Sequence, residues 1–162
     1  NGQTAVTTVG GRAFRRTRPA VADTGEVVLL NWFPTLMPPA LAVALGGALG
    51  ALSRYGAGRL VAHLFAPSFP WATWTVNLAG CLLIGMTVPL FGRLNGFEEA
   101  RFFLVVGFLG SFTTFSTYCL DTVALWGSDR GLFALANVAG SVVCGLVLVA
   151  VGRELSAWLL GG

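Results

Sequence analysis

The sequence predicts an all-α integral membrane protein with four transmembrane helices per subunit, and two observations carry that prediction. First, 55% of the 162 residues are hydrophobic and only 10% are charged, against roughly 25% charged in an ordinary soluble domain. The mean hydropathy is +0.75. A water-soluble fold of this length could not cover its surface with so few charges. Second, most charges lie near the chain ends or in short gaps. Four apolar runs remain, each close to the ~20 residues needed to cross a ~30 Å hydrocarbon core.

The chain divides near residue 37. Residues 1–37 are polar and carry Arg12, Arg15, Arg16 and Arg18, then Asp23 and Glu26. Their one apolar stretch, Val27 to Leu30, is too short for a signal-peptide core and precedes no small-residue cleavage pattern. This segment reads as a disordered or interfacial extension, with Trp32 and Phe33 suited to the headgroup level. The chain begins at Asn1 rather than Met, so its true start is expected upstream.

Residues 38–162 form the membrane domain. The first span is expected from about Ala40 to Leu64, after Pro38-Pro39, with Arg54 and Arg59 in its second half. The second runs from about Trp71 to Phe91, after the turn from Pro67 to Pro70. A polar gap from Gly92 to Arg101 leads to the third, about Phe102 to Trp126. A short turn from Gly127 to Gly131 leads to the fourth, about Leu132 to Gly152, with Arg153 and Glu154 at its end. Connections this short make antiparallel neighbours. Small residues recur at helical spacing, as in Gly46/Gly50, Gly47/Ala51, Cys81/Gly85 and Ala136/Gly140, and let backbones approach closely in a bilayer. Four helices alone enclose little interior, so a pathway built on them calls for a second subunit.

The net charge of +3 comes without any lysine. No basic stripe runs through the apolar bulk, which argues against a nucleic-acid partner; the arginines fit topology signalling. With four spans, Arg93, Arg101 and Arg153 flank one side and Arg59 and Arg130 the other, nearly a balance. Cys81, Cys119 and Cys144 lie scattered in apolar runs and His63 stands alone, so no zinc site is expected. Nor does any nucleophile–base pair or phosphate loop suggest an enzyme.

Polar groups inside a membrane are costly, so each is a functional candidate. On the first span this is Arg54, beside Tyr55, whose bland alternative is a snorkelling helix-end arginine. On the second it is Asn77, either interhelical glue or a pathway donor. On the fourth, Asn137 and Ser141 share a stripe at i, i+4. The third span says most: two glycines, Gly107 and Gly110, precede Ser111, Thr113, Thr114, Ser116 and Thr117. That is poor material for an uninterrupted lipid-facing helix, and non-helical backbone at membrane depth must be buried or line a cavity. Phe115 and Tyr118, at i, i+3, share a face.

The strings GGALGALSRY in the first span, TVNLAG in the second and GFLGSFTTFSTYCLD in the third resemble the Fluc/CrcB fluoride channels, over about residues 41–152. The resemblance implies an antiparallel dual-topology dimer in the plasma (inner cell) membrane, with two fluoride pores, a central structural sodium ion and a third helix broken near its middle. It implies Asn77 as the pore amide and Phe115 and Tyr118 as the pore aromatics, Tyr118 standing where phenylalanine is common. Gly110 and Thr113 would offer backbone carbonyls to the sodium. Ser141 with Asn137 would form the polar track of the fourth helix, and Arg54 the vestibule arginine. The chemistry agrees: a small, tightly hydrated anion needs aimed donors such as the Asn77 amide and the Thr114, Ser116 or Ser141 hydroxyls, and aromatic ring edges are positive.

Two other readings compete. A small multidrug-resistance-type exporter needs a carboxylate in its first span, which is absent here; Asp121, late in the third, is the sole candidate. An accessory membrane subunit with no transport of its own is the plainest alternative. The partner can be a second copy or a related subunit, and fluoride and lipid are the expected small partners.

Overall fold

The computed structural model describes residues 24–93 and 97–161, with side chains from Pro39 onward. The chain falls into two units, Asn1–Pro34 and Thr35–Gly162. Of the first, only helical backbone from Thr24 is described, so residues 1–23 of the expected extension lie outside the described residues. Everything below concerns the second unit.

All regular structure among the described residues is helical: α1 (Thr24–Leu64), of which the part from Thr35 belongs to the second unit, α2 (Trp71–Arg93), α3 (Glu98–Arg101), a π-helical segment (Phe102–Leu109), α4 (Gly110–Phe112), α5 (Phe115–Gly127) and α6 (Gly131–Leu159). Four stretches are long and apolar enough to cross a membrane: Pro39–Leu64, Trp71–Arg93, Glu98–Gly127 and Gly131–Leu159. The chain is therefore a multi-pass membrane protein. The fourth stretch outruns its expected end at Gly152, because the helix continues through Arg153 and Glu154 into the buried Ser156. An apolar run marks where lipid begins, not where backbone hydrogen bonding stops.

Glycines decide the packing. A Cβ on Gly85 would strike the Val149 carbonyl, and one on Gly152 the Leu82 carbonyl, so α2 and α6 touch backbone to backbone. The contact pairs Trp74–Gly140, Cys81–Gly145 and Gly85–Val149 advance together, which makes α2 and α6 parallel, as up-and-down alternation of four spans requires. α1 meets the π-helical segment in the same way: Gly46 and Gly50 abut the carbonyls of Phe103 and Phe108, and a Cβ on Gly107 would lie 2.7 Å from the Val43 carbonyl. Without a hydrophobic drive between helices in lipid, such close approach supplies the attraction. Buried apolar side chains are few, among them Val76, Leu109, Phe112 and Ala134.

The turn between the third and fourth spans closes with Arg130 N–H donating to the Leu125 carbonyl at 3.1 Å. Asp129 supplies the positive φ of 57° that such helix ends need, a conformation Asp tolerates better than most residues. Next to it Phe65, Phe69, Trp71, Trp74 and Phe133 form an aromatic cluster, with the Arg130 guanidinium 5.0 Å from the Phe133 ring centre. At the opposite end Arg93 donates to the Leu160 carbonyl at 3.5 Å.

Candidate functional site

The third span changes backbone at its hydroxyl run. Between α4 and α5, Thr113 takes φ −85°, ψ 158° and Thr114 φ −148°, ψ 117°, both extended. Local chemistry favours this. Thr114 is the N-cap of α5: its Oγ1 accepts from Thr117 N–H at 3.3 Å and donates to Thr117 Oγ1 at 3.0 Å. Such a cap contributes ~0.5–2 kcal/mol. Thr113 turns both its N–H and its hydroxyl onto the Leu109 carbonyl, at 3.2 and 3.1 Å.

The second span completes the arrangement. Asn77 Oδ1 accepts from Thr114 N–H at 2.8 Å, and Asn77 Nδ2 donates to the Thr114 carbonyl at 3.0 Å. One side chain thus satisfies both backbone groups of an extended residue at membrane depth, where each left unpaired would cost about 1–3 kcal/mol. One turn along α2, Gly80 gives Thr113 room, since a Cβ there would collide with the Thr113 methyl. Sequence reasoning singled out Asn77 but not Gly80; the glycine one turn on in TVNLAG was the available signal. As α4 ends, the carbonyls of Gly110 and Thr113 accept no hydrogen bond among the described residues.

A cavity of about 370 Å³ opens beside this junction, lined by Asn77, Gly110, Thr113, Thr114, Phe115, Tyr118 and Ser141, with Cys81 and apolar neighbours. The Phe115 and Tyr118 rings lie 5.6 Å apart, tilted by 36°, and Phe115 is 77% exposed, so this chain alone leaves the aromatic wall uncovered. Ser141 Oγ is buried and has no hydrogen-bond partner among the described residues.

Three expected residues lie off the cavity wall. Ser116 is exposed, its hydroxyl 3.4 Å from that of Thr114. Asn137 is 2% exposed and donates to Thr122 Oγ1 at 2.8 Å, and Thr122 in turn donates to the Tyr118 carbonyl at 2.8 Å; it braces α5 from α6. Arg54 is half-buried on α1 and makes no ion pair among the described residues. Beyond the expected set, Thr73 donates to the Asp121 carboxylate at 2.6 Å. Thr73 lies one turn before Asn77, and Thr122 one turn after Tyr118, so helical spacing from the recognised residues would have found both.

Fold and site together define a class: a small multi-pass membrane protein whose amide, hydroxyl and aromatic groups converge on one cavity, an arrangement for passing a small solute rather than transforming one. Within it, the chain belongs to the CrcB family, since the family model described as CrcB-like protein, Camphor Resistance (CrcB), matches residues 41–153. The fluoride-specific ion channel FluC of Salinibacter ruber is 48% identical over 120 residues, 74% of this chain and 90% of its own length. A Thermus thermophilus protein of the same name is 48% identical over 123 residues, 75% of this chain and 97% of its own. The Chloroflexus aurantiacus protein, also so named, is 44% identical over 122 residues, with 75% and 97% covered.

Proposed function

We propose that this chain is a fluoride-selective channel, not an enzyme, that lets fluoride leave the cell passively across the plasma membrane. It works as an antiparallel dual-topology homodimer, with the third span acting as a broken helix around a structural sodium ion. The observation that carries the reading is the unpartnered, buried Ser141 hydroxyl on the same cavity as the Phe115–Tyr118 pair and Asn77.

The mechanism follows from what those groups offer a small anion. Fluoride sheds water only where aimed donors replace it. Ser141 Oγ–H has no competing partner, and Asn77 keeps one amide proton beyond the one bonded to Thr114. The rings of Phe115 and Tyr118 add positive edges. Among the described residues no lysine or arginine lines the cavity, so the anion is drawn in without being trapped, as conduction demands. Once a second subunit covers the cavity, a narrow, rigid lining would exclude chloride by size, and Arg54 would gather anions at the vestibule. The exposed face of Phe115 receives the second subunit, which closes the path.

The residues present fit a small hard cation. Neutral oxygens are the donors such an ion takes, and unwound backbone carbonyls in broken membrane helices are a recurrent source. Gly110 and Thr113 would hold it, and when bound it supplies positive charge that pins the junction at the dimer centre. The test is ion efflux from liposomes containing only this protein. Fluoride release without chloride release is expected. Equal release of both anions, or of neither, overturns the reading.

A further inference from the structure

The carbonyls of Gly110 and Thr113 stand open for a reason that lies on another helix. Were Thr113 and Thr114 helical, Thr114 N–H would bond the Gly110 carbonyl and Thr117 N–H the Thr113 carbonyl, the i to i−4 pattern of any α-helix. Both carbonyls would then lie along the helix axis with one lone pair already taken. In the structure the first donor goes to Asn77 Oδ1 and the second to Thr114 Oγ1. Asn77 Nδ2 also holds the Thr114 carbonyl, and Gly80 leaves the space that the extended Thr113 occupies.

We propose that Asn77 is the positioning residue of the cation site: by clamping Thr114 it stabilises the backbone state in which Gly110 and Thr113 present free carbonyls. The proposal rests on the reading that a sodium ion sits at those carbonyls. Asn77 thus faces two ways, one amide edge on Thr114 and the rest on the cavity, and its loss disturbs cation binding apart from any effect on anion flow. An amide without a competing backbone role would leave the cation response unchanged.

The consequence is quantitative. A ligand that binds one backbone state has its apparent Kd raised by the inverse of that state's population. Losing two hydrogen bonds of ordinary net strength should shift that population, and with it the sodium midpoint, by about tenfold or more.

The experiment uses the purified full chain in detergent, free of fluoride, with thermal unfolding followed as sodium replaces N-methylglucamine. Wild type should be stabilised by sodium with a measurable midpoint. Asn77→Leu keeps neither bond and should raise that midpoint at least tenfold, or lose the response. Thr122→Val, which breaks the separate Asn137 brace, should lower stability but keep the midpoint. If Asn77→Leu does not fold, Asn77→Ser, too short to reach Thr114, takes its place. A wild-type midpoint in Asn77→Leu overturns the proposal, as does failure of both Leu and Ser variants to fold in saturating sodium, which would make Asn77 a folding residue only. A wild type indifferent to sodium would instead remove the cation reading, and fluoride efflux would stand or fall separately.

Discussion

Replacing Ser141 by alanine should raise stability and lower fluoride flux, two effects of opposite sign from one hydroxyl. In most membrane helices a serine hydroxyl bonds back to its own helix. Here Oγ is buried with no partner, and an unpaired buried hydroxyl costs about 1–3 kcal/mol by mutational measures. Alanine removes that cost, leaves the backbone of α6 untouched and favours helix slightly. At about 2–4 °C per kcal/mol for a chain of this size, the unfolding midpoint should rise by several degrees. The same hydroxyl is worth a comparable free energy to an anion passing it, and each 1.4 kcal/mol is about a tenfold change in rate. Flux through the reconstituted protein should therefore fall by about an order of magnitude. Fluoride itself should raise the midpoint of wild type more than that of the variant, because only wild type has the donor. Thermal unfolding with and without fluoride, paired with liposome efflux, reads all three. A less stable variant with unchanged flux would refute the reasoning and make Ser141 an ordinary packing residue.

Other substitutions test other parts. Phe115→Ile removes a ring that is mostly exposed in this chain, so efflux should drop strongly while the size-exclusion profile stays that of wild type; normal flux would reduce the aromatic pair to packing. Asn77→Asp should block fluoride efflux by placing negative charge on the path, and retained conduction would take Asn77 off it. Gly152→Ala should destabilise by about 1–3 kcal/mol through overpacking, since its Cβ would meet the Leu82 carbonyl of α2; an unchanged unfolding midpoint would refute the close crossing. For topology, single cysteines at Glu99 and Ser128 in a cysteine-free background should each label from both sides of the membrane, because the flanking arginines nearly balance; one-sided labelling at both would exclude dual topology.

The four spans were legible because hydropathy is additive along a chain and charges mark the gaps. Expected and observed starts agree closely where the chain is fully described, as at Trp71 in both and at Leu132 against Gly131. The hydroxyl run in the third span flagged unusual backbone at the right place, since five small polar side chains have no apolar face to offer lipid. What stayed hidden was partnership. Nothing in TVNLAG says that the amide of Asn77 faces the backbone of Thr114, because that contact joins positions 37 apart in sequence. Asn137 and Ser141, one stripe in sequence, part company in the fold: the first reaches Thr122 and the second reaches nothing. The π-helical turn of Phe102–Leu109 had no signal, its sequence being an ordinary apolar run.

The polar groups of this membrane interior divide by whether the backbone already occupies them. An extended pair of residues at membrane depth is tolerable only if every freed N–H and C=O finds a partner. Asn77, the Thr114 hydroxyl and the space at Gly80 meet most of that demand together, so none can change without exposing the others. Asn137 and Thr122 pair with each other one turn lower, where the Thr122 hydroxyl bonds back to the Tyr118 carbonyl of its own helix. Once these are counted, few side-chain donors remain free on the cavity among the described residues: the Ser141 and Tyr118 hydroxyls, the Cys81 thiol and the second amide proton of Asn77. A lining rich in free donors would hold an anion too tightly to release it, whereas one with none would never strip its water. The structural cost of the extended Thr113–Thr114 pair therefore sets how much hydrogen-bonding capacity is left for an ion, and it leaves the small amount that passage, rather than capture, requires.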